Sequence, residues 1–277
     1  MGFLPVSNKI AIAEAVLRQT DFGWIYVADQ NRGGIAAREG TAAYAASRKY
    51  LGIAPPPFAI LDAEIMAQWD PPTDIAAYPW QFATEDLRAD GETQRPMHNA
   101  ILRHEIGHGI FRRHIMQEKP SDIGYGTSAP DWLDETIAVL FESGSSRSRR
   151  LRFAREAVRK QNLIPLAIFL SMTHPQYDTV LRIAQNRRAN SGELANPAGK
   201  SQIITGKTAQ ITALFYAQCL GFGEFLINRA NNNEIIAMLA IKHKEGYDLE
   251  PELLKITRAN DIENLEEDFR DWLKSAR

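Results

Sequence analysis

The pattern of apolar and polar positions along the chain changes near residue 91. Before that point, short apolar runs alternate with polar and proline-rich stretches, and the order strand, helix, strand predicts a small α/β sheet. The apolar runs have the length and composition of strands. The elements predicted here are a helix from Ser7 to about Gln19, a strand at Phe22–Ala28, a turn at Asp29–Gly34, a helix from Thr41 to Leu51, a strand at Phe58–Asp62 and an edge strand at Ala77–Thr84.

After Gly91 the spacing of apolar residues becomes helical almost to the end of the chain. Thr93 is the expected cap of the first long helix, whose first turn tolerates Pro96. We therefore expect an α+β fold in which residues 1–95 form an N-terminal α/β part and residues 96–277 form a helical part, together one catalytic unit. Further helices are predicted at Asp131–Glu142, Arg150–Gln161, Ile164–Met172, Tyr177–Arg188, Ala209–Arg229, Asn233–Lys242 and Ile262–Lys274.

The pentapeptide HEIGH, residues 104–108, carries the clearest chemistry in the sequence. Two histidines four residues apart lie about 40° apart around a helix, so both imidazoles can reach one Zn²⁺. Glu105, next to the first histidine, can reach a water molecule at the open metal position and take its proton. His104 and His108 are therefore predicted zinc ligands, and Glu105 is the predicted general base.

A hydrolytic zinc site usually takes three protein ligands, and two residues compete for the third place. His114 has the spacing of the third histidine in HExxHxxGxxH, but Phe111 occupies the glycine position at which the chain must turn. On a continuous helix, His114 would lie about 15 Å along the axis from His104. Glu135 is the better candidate, because it lies near the start of a predicted helix and Ala138 on the same face allows close helix packing.

The segments HEIGH and PDWLDETIA, residues 130–138, resemble the zinc-binding segments of the gluzincin metallopeptidases, which include thermolysin and the aminopeptidase N type. Their pattern is HExxH followed by a downstream Leu-x-Glu-x-x-Ala whose Glu binds zinc. The compact peptidase MA-like members are the most similar, with weaker likeness over residues 41–62, 162–166, 215–227 and 264–273. The resemblance implies a gluzincin-like zincin fold, with the active-site helix at the cleft and one Zn²⁺ per chain held by His104, His108 and Glu135.

The same resemblance implies that Tyr216 stabilises the oxyanion, because aminopeptidase N relatives use a tyrosine in a matching segment. The alternative for Tyr216 is a core tyrosine without a catalytic role. His174 is the rival for the oxyanion role, although its loop position predicts a side chain that faces solvent.

The chain also departs from the family pattern. The 26 residues between His108 and Glu135 exceed the usual gap. The Gly-x-Met-Glu-Asn motif that holds a substrate amino terminus is absent, which argues against aminopeptidase activity. Val139 stands where thermolysin has an acidic partner for a zinc histidine, so that Asp134 and Glu142 become the candidates for this role.

Composition and charge narrow the possible partners. The net charge of −2 argues against nucleic acid as the main partner, and the single Cys219 excludes an intramolecular disulfide and a thiolate zinc site. The hydropathy pattern predicts no integral membrane segment. The first residues lack the pattern of a signal peptide, so we expect a soluble protein that is periplasmic or secreted only if a leader has been removed.

Two other features suggest functions that the sequence does not support strongly. Gly199-Lys200-Ser201 and Gly206-Lys207-Thr208 lack the glycine spacing of a phosphate-binding P-loop, so nucleotide binding is not expected. Seven basic residues between Arg147 and Lys160 form a cationic run. A solvated helix face is the prediction for this run, and a wall that recognises anionic substrates is the alternative.

The sequence thus predicts zinc-dependent hydrolysis of peptide bonds in a peptide or protein substrate. A substrate strand is expected to pair with the edge at Ala77–Thr84. Two alternatives stay open, a zinc-binding protein without catalytic activity and a metallohydrolase of non-peptide bonds. Glu105 favours an enzyme, because a protein that only binds zinc could lose this residue freely.

Overall fold

The computed structural model describes residues 16–62, 76–80, 95–118, 127–175 and 207–275. These residues form an α+β fold, mostly helical with one small four-stranded sheet, as the sequence predicts. The elements in chain order are β1 Val16–Thr20, β2 Gly23–Val27, α1 Gln30–Tyr50, β3 Phe58–Asp62, β4 Ala76–Trp80, α2 Arg95–Ile110, α3 Asp131–Phe141, α4 Gly144–Arg159, α5 Leu166–Ser171, α6 Lys207–Ala230, α7 Ile235–Lys244, α8 Leu249–Thr257 and α9 Ile262–Ser275.

The sheet has the strand order β1-β2-β3-β4. β1 is antiparallel to β2, whereas β2, β3 and β4 are parallel to one another. All five residues of β3 are buried, which explains its uninterrupted apolar run, and its predicted bounds are confirmed. β4 is an edge of the described sheet, in agreement with the predicted edge strand, whose residues 81–84 lie outside the described residues.

Two predictions for the N-terminal part are wrong. The helix expected from Ser7 to about Gln19 lies mostly outside the described residues, but its last residues form β1, which pairs with β2. The expected turn at Asp29–Gly34 is instead the start of α1. There the Asp29 carboxylate accepts a hydrogen bond from the Arg32 backbone N–H and caps the helix. The helix therefore begins well before Thr41.

The helices predicted in the second part mostly agree with the structure. The helix expected at Arg150–Gln161 begins earlier, at Gly144, because the Ser143 hydroxyl accepts from the Ser146 backbone N–H and caps it. Helix α8 was not predicted, although Asp248 caps it in the same way. The predicted helix at Tyr177–Arg188 and the expected cap Thr93 lie outside the described residues.

Helix α6 lies at the centre of the helical part. Phenylalanine side chains of α6 contact aromatic side chains of α3, α5 and α9. By length and composition, its residues Ala209–Ala230 form the one described helix that could cross a membrane, yet 61% of its apolar window is buried inside the protein. This burial agrees with the prediction of no integral membrane segment. The aromatic residues of this core are Trp132, Phe169, Phe215, Phe222, Phe225 and Phe269.

Buried apolar residues of the two predicted parts, from Phe22 to Leu273, form one contiguous core. Helix α1 contacts β2, α2 and α3, and α2 also contacts β4. The sheet and the helical part thus meet along α2. The division between residues 95 and 96 stays a prediction.

Candidate metal centre

Helix α2 carries the HEIGH motif at the junction between the sheet and the helical part. His104 is buried and His108 is partly buried, while Glu105 is exposed. The helix period accounts for this difference, because residues four apart share a face and adjacent residues lie about 100° apart. The helix continues as a π-helical turn, Phe111–Met116, which ends at Gln117 in the left-handed conformation.

Helix α3 packs closely against α2 and brings Glu135 to the two histidines. A Cβ atom added at Gly107 would lie 3.2 Å from Cα of Ala138 and 3.1 Å from the ring of Phe141. These distances are so short that only glycine fits on α2 without a shift of α3. Ala138 permits the close helix approach that the sequence predicts, and Gly107 is the matching small residue on α2.

Three donor atoms of these helices converge on one point. Nε2 of His104 lies 3.1 Å from Nε2 of His108, and Oε2 of Glu135 lies 3.3 Å from the first and 3.5 Å from the second. A tetrahedral zinc ion with bonds of 2.0–2.1 Å separates its ligand atoms by about 3.3–3.4 Å. The three donors therefore have the spacing of one face of a zinc tetrahedron. Among the described residues, these three form the group of side chains that could hold a metal ion.

Each histidine is oriented by a carboxylate of α3 or of its C-terminal cap. Nδ1 of His108 lies 2.6 Å from Oδ1 of Asp134, and Nδ1 of His104 lies 3.1 Å from Oε1 of Glu142. When Nδ1 carries the proton and donates it to the carboxylate, the lone pair of Nε2 is directed at the metal position. The sequence offers Asp134 and Glu142 as candidate partners of the histidines. In the structure Asp134 contacts His108, and Glu142 contacts His104.

The charges of this cluster favour a bound cation. Burial lowers the pKa of His104, but its hydrogen bonds with Glu135 and Glu142 outweigh burial and raise the pKa above its usual value. Burial also lowers the pKa of His108, and the charges of Asp134 and Glu135 reverse this effect and raise it strongly. The pKa of Glu135 is well below its usual value, since the histidines more than offset its burial. The carboxylates thus stabilise positive charge between the two histidines. A metal ion bound there would take the place of the protons on the imidazole rings.

Tyr216 and His174, which the sequence treats as rivals, form one pair beside the three donors. Nε2 of His174 lies 2.9 Å from the Tyr216 hydroxyl oxygen and 3.7 Å from Oε1 of Glu135. The ring of Tyr216 meets the ring of His104 edge to face, with 5.5 Å between centroids. Burial and the charge of Glu135 raise the pKa of Tyr216, so its hydroxyl stays protonated and can donate.

The prediction that His174 faces solvent is wrong, because only 1% of this residue is exposed. The backbone N–H of His174 donates to Oδ2 of Asp131 at 2.5 Å, and this bond ties the loop to the start of α3. Burial lowers the pKa of His174; the charges of Glu135 and Asp131 oppose this effect, and those of His108 and His104 add to it, so that the pKa stays below its usual value. The sequence gives no indication of this contact between residues 43 positions apart.

His114, the other candidate for the third ligand, lies away from the three donors. His114 lies in the π-helical turn and lines a small cavity with Pro57 and Tyr78, beside β3 and β4. It does not belong to the group of possible metal ligands in the described residues.

The basic run between Arg147 and Lys160 has two different parts. Four of its members are exposed, as the solvated face predicts: Arg149, Arg152, Arg159 and Lys160. Arg147 and Arg150 instead turn inward and bind buried or half-buried glutamates. Arg150 reaches Glu142 in the candidate metal centre, a role that sequence analysis missed because the run reads as a single charged face.

Comparisons with protein-family models, with curated proteins and with solved structures give no significant match to this chain.

Proposed function

We propose that this protein is a gluzincin-like zinc metallopeptidase that hydrolyses peptide bonds. The observation that carries the proposal is the spacing of 3.1–3.5 Å among Nε2 of His104, Nε2 of His108 and Oε2 of Glu135. Two nitrogen donors and one oxygen donor, with a position left for water, are typical of catalytic zinc. The HExxH spacing on α2 and a glutamate from a second helix support the gluzincin assignment.

The residues around this point have the properties that hydrolysis requires. A zinc ion bound there would lower the pKa of its water towards about 7 and polarise the substrate carbonyl. Glu105 is exposed beside the first ligand, where its carboxylate can take the proton of the attacking water and pass it to the leaving amine. If the proton of His174 is on Nε2, this ring donates to the Tyr216 oxygen. The Tyr216 hydroxyl hydrogen is then available to donate to the oxyanion.

The position of β4 supports recognition of an extended peptide. β4 is an edge of the described sheet, and a Cβ added at Gly109 of α2 would collide with the ring of Tyr78 on this strand. The edge strand therefore packs, through the side chain of Tyr78, on the helix that carries the proposed metal ligands. A substrate strand could pair its main chain with this edge, which would give recognition with little dependence on sequence.

The test of the proposed function is cleavage of a peptide library by the zinc-loaded protein, with metal content measured in the same sample. We expect close to one zinc per chain and cleavage that a chelator abolishes and zinc restores. Bound zinc without cleavage of any peptide would favour one of the two alternatives. Ester and other non-peptide substrates would then separate a metallohydrolase of another class from a zinc-binding protein without activity.

Replacement of Tyr216 by phenylalanine is expected to lower kcat and kcat/KM together by about 10²–10³-fold, because one oxyanion donor is lost. KM and zinc content should stay near the wild-type values, since the hydroxyl acts on the transition state. Steady-state kinetics with the best peptide of the library measure this effect. Tyr247→Phe, at an exposed tyrosine, is the control. An unchanged kcat in Tyr216→Phe would make Tyr216 a core residue and His174 the next donor to replace.

A further inference from the structure

Arg150 stands apart from the other basic residues of its helix. It lies in α4, two turns after the cap of α3, and its side chain is 21% exposed. Its guanidinium extends back over the helix junction to the carboxylate of Glu142, whose side chain is only 2% exposed. A charged side chain that turns from solvent towards a buried carboxylate loses hydration, and this loss must be balanced by good geometry.

The contact between Arg150 and Glu142 has that geometry. Nε of Arg150 donates to Oε2 of Glu142 at 2.7 Å, and Nη2 donates to Oε1 at 2.5 Å. Two parallel hydrogen bonds from one planar group fix the plane of a carboxylate as well as its position. The same Oε1 atom lies 3.1 Å from Nδ1 of His104. One carboxylate thus connects the guanidinium to a ligand of the proposed metal centre.

The guanidinium also contacts Tyr216. Its central carbon lies 4.8 Å from the centre of the Tyr216 ring, within the range of a cation–π contact. The edge-to-face contact of Tyr216 with the His104 ring completes a closed circuit of four side chains. In this circuit Arg150 and His104 both contact Glu142 and Tyr216, and Arg150 is the member that carries a permanent positive charge.

We propose that Arg150 is a positioning residue for the metal centre: it fixes the plane of the Glu142 carboxylate, and Glu142 fixes the orientation of the His104 ring. The inference rests on the proposed zinc site. Loss of a carboxylate that orients a ligating histidine, as Glu142 does here, typically costs about 10–100-fold in metal affinity or activity. Arg150 therefore determines how well His104 presents Nε2, although it touches neither the metal nor the substrate.

The structure offers a matched control on the same helix. Arg147 is 23% exposed and also binds a glutamate, Glu224, and its Nη1 donates to the Tyr50 hydroxyl at 2.7 Å. None of these partners is among the three donors or the carboxylates that orient the histidines. Arg147→Met and Arg150→Met therefore remove similar ion pairs, and only the second removes a connection to His104.

The experiment measures zinc affinity by chelator competition and records the visible absorption spectrum of the Co²⁺-substituted protein. We expect Arg150→Met to weaken zinc binding by up to about 10-fold, the low end of the range for loss of the orienting carboxylate itself, and to change the Co²⁺ bands. Arg147→Met should keep the affinity and the spectrum of the wild type even if it lowers the melting temperature. Arg150→Lys should fall between the wild type and Arg150→Met, because one ammonium group cannot hold both carboxylate oxygens.

A second variant tests the route through Glu142. Arg150→Met in a Glu142→Gln background should cause little further loss of zinc affinity, because the two residues act in series. Full additivity of the two losses would overturn the proposed route. If Arg150→Met and Arg147→Met behave alike in affinity and spectrum, Arg150 is only a structural residue and the inference is wrong. If the wild type itself binds no zinc, the proposed function is wrong and the inference fails with it.

Discussion

Replacement of Glu105 by glutamine is expected to leave zinc bound and to reduce peptide hydrolysis by about 10²–10⁴-fold, the usual contribution of a general base. The side chain of Glu105 is exposed beside the proposed metal position, whereas the three donor atoms belong to other residues. Glutamine keeps the size of the side chain and cannot take a proton from water. Metal content and initial rates of peptide cleavage, measured on the same preparation, separate the two effects.

The control for this variant is Glu263→Gln, which makes the same chemical change at an exposed position in α9. It should keep full activity. Cleavage by Glu105→Gln at the wild-type rate would contradict the proposed mechanism. Loss of zinc together with activity would instead give Glu105 a part in metal binding, which the geometry does not predict.

Replacement of Glu135 by alanine is expected to have the largest effect on the metal. Glu135 is 1% exposed, and its Oε2 atom completes the triangle with the two histidine nitrogens. As a proposed direct ligand of the ion it contributes more than an outer partner, so we expect its loss to lower zinc affinity by more than the roughly 10–100-fold typical of such a partner. Chelator competition on wild type and variant measures this change.

Glu135→Gln is the control for the cavity that alanine leaves. Glutamine fills the same volume and offers a neutral oxygen, so its zinc affinity should lie between those of the wild type and Glu135→Ala. Full zinc affinity in Glu135→Ala would show that the ligand assignment is wrong. His114→Ala would then be the next variant to measure, although His114 lies beside β3 and β4.

Local sequence pattern predicts some elements of this fold and misleads for others. The strand Phe58–Asp62 is readable because its run of apolar residues is uninterrupted and both faces are buried. The start of α1 is not readable, since Gln30, Asn31 and two glycines suggest a turn, whereas the Asp29 cap and tertiary packing make it helical. The residues of β1 have no strong pattern of their own. They become a strand through pairing with β2, a contact that periodicity does not reveal.

The same distinction applies to the candidate site. His104 and His108 come together because of helix geometry alone, so a local motif is sufficient to predict their proximity. Glu135 needed a second motif and the helix packing that small residues allow. The contact of His174 with Tyr216 depends on tertiary packing between distant segments, and no spacing rule relates residues 42 positions apart. Arg150 was hidden by its neighbours, because side-chain direction, and not composition, separates an inward arginine from an outward one.

The proposed ligands come from one short stretch of chain. His108 and Glu135 are separated by 26 residues, and β1, β2 and α6–α9 lie outside this interval. An ion held by α2 and α3 is therefore a cross-link that closes a small loop, and the entropy gained from a cross-link rises only slowly with loop length. The sheet and helices α6–α9 lie outside the closed loop, although α3 contributes Trp132 to the aromatic core around α6. The metal would thus enter a scaffold that hydrophobic burial has already built, and its binding energy would be available for local order in α2 and α3.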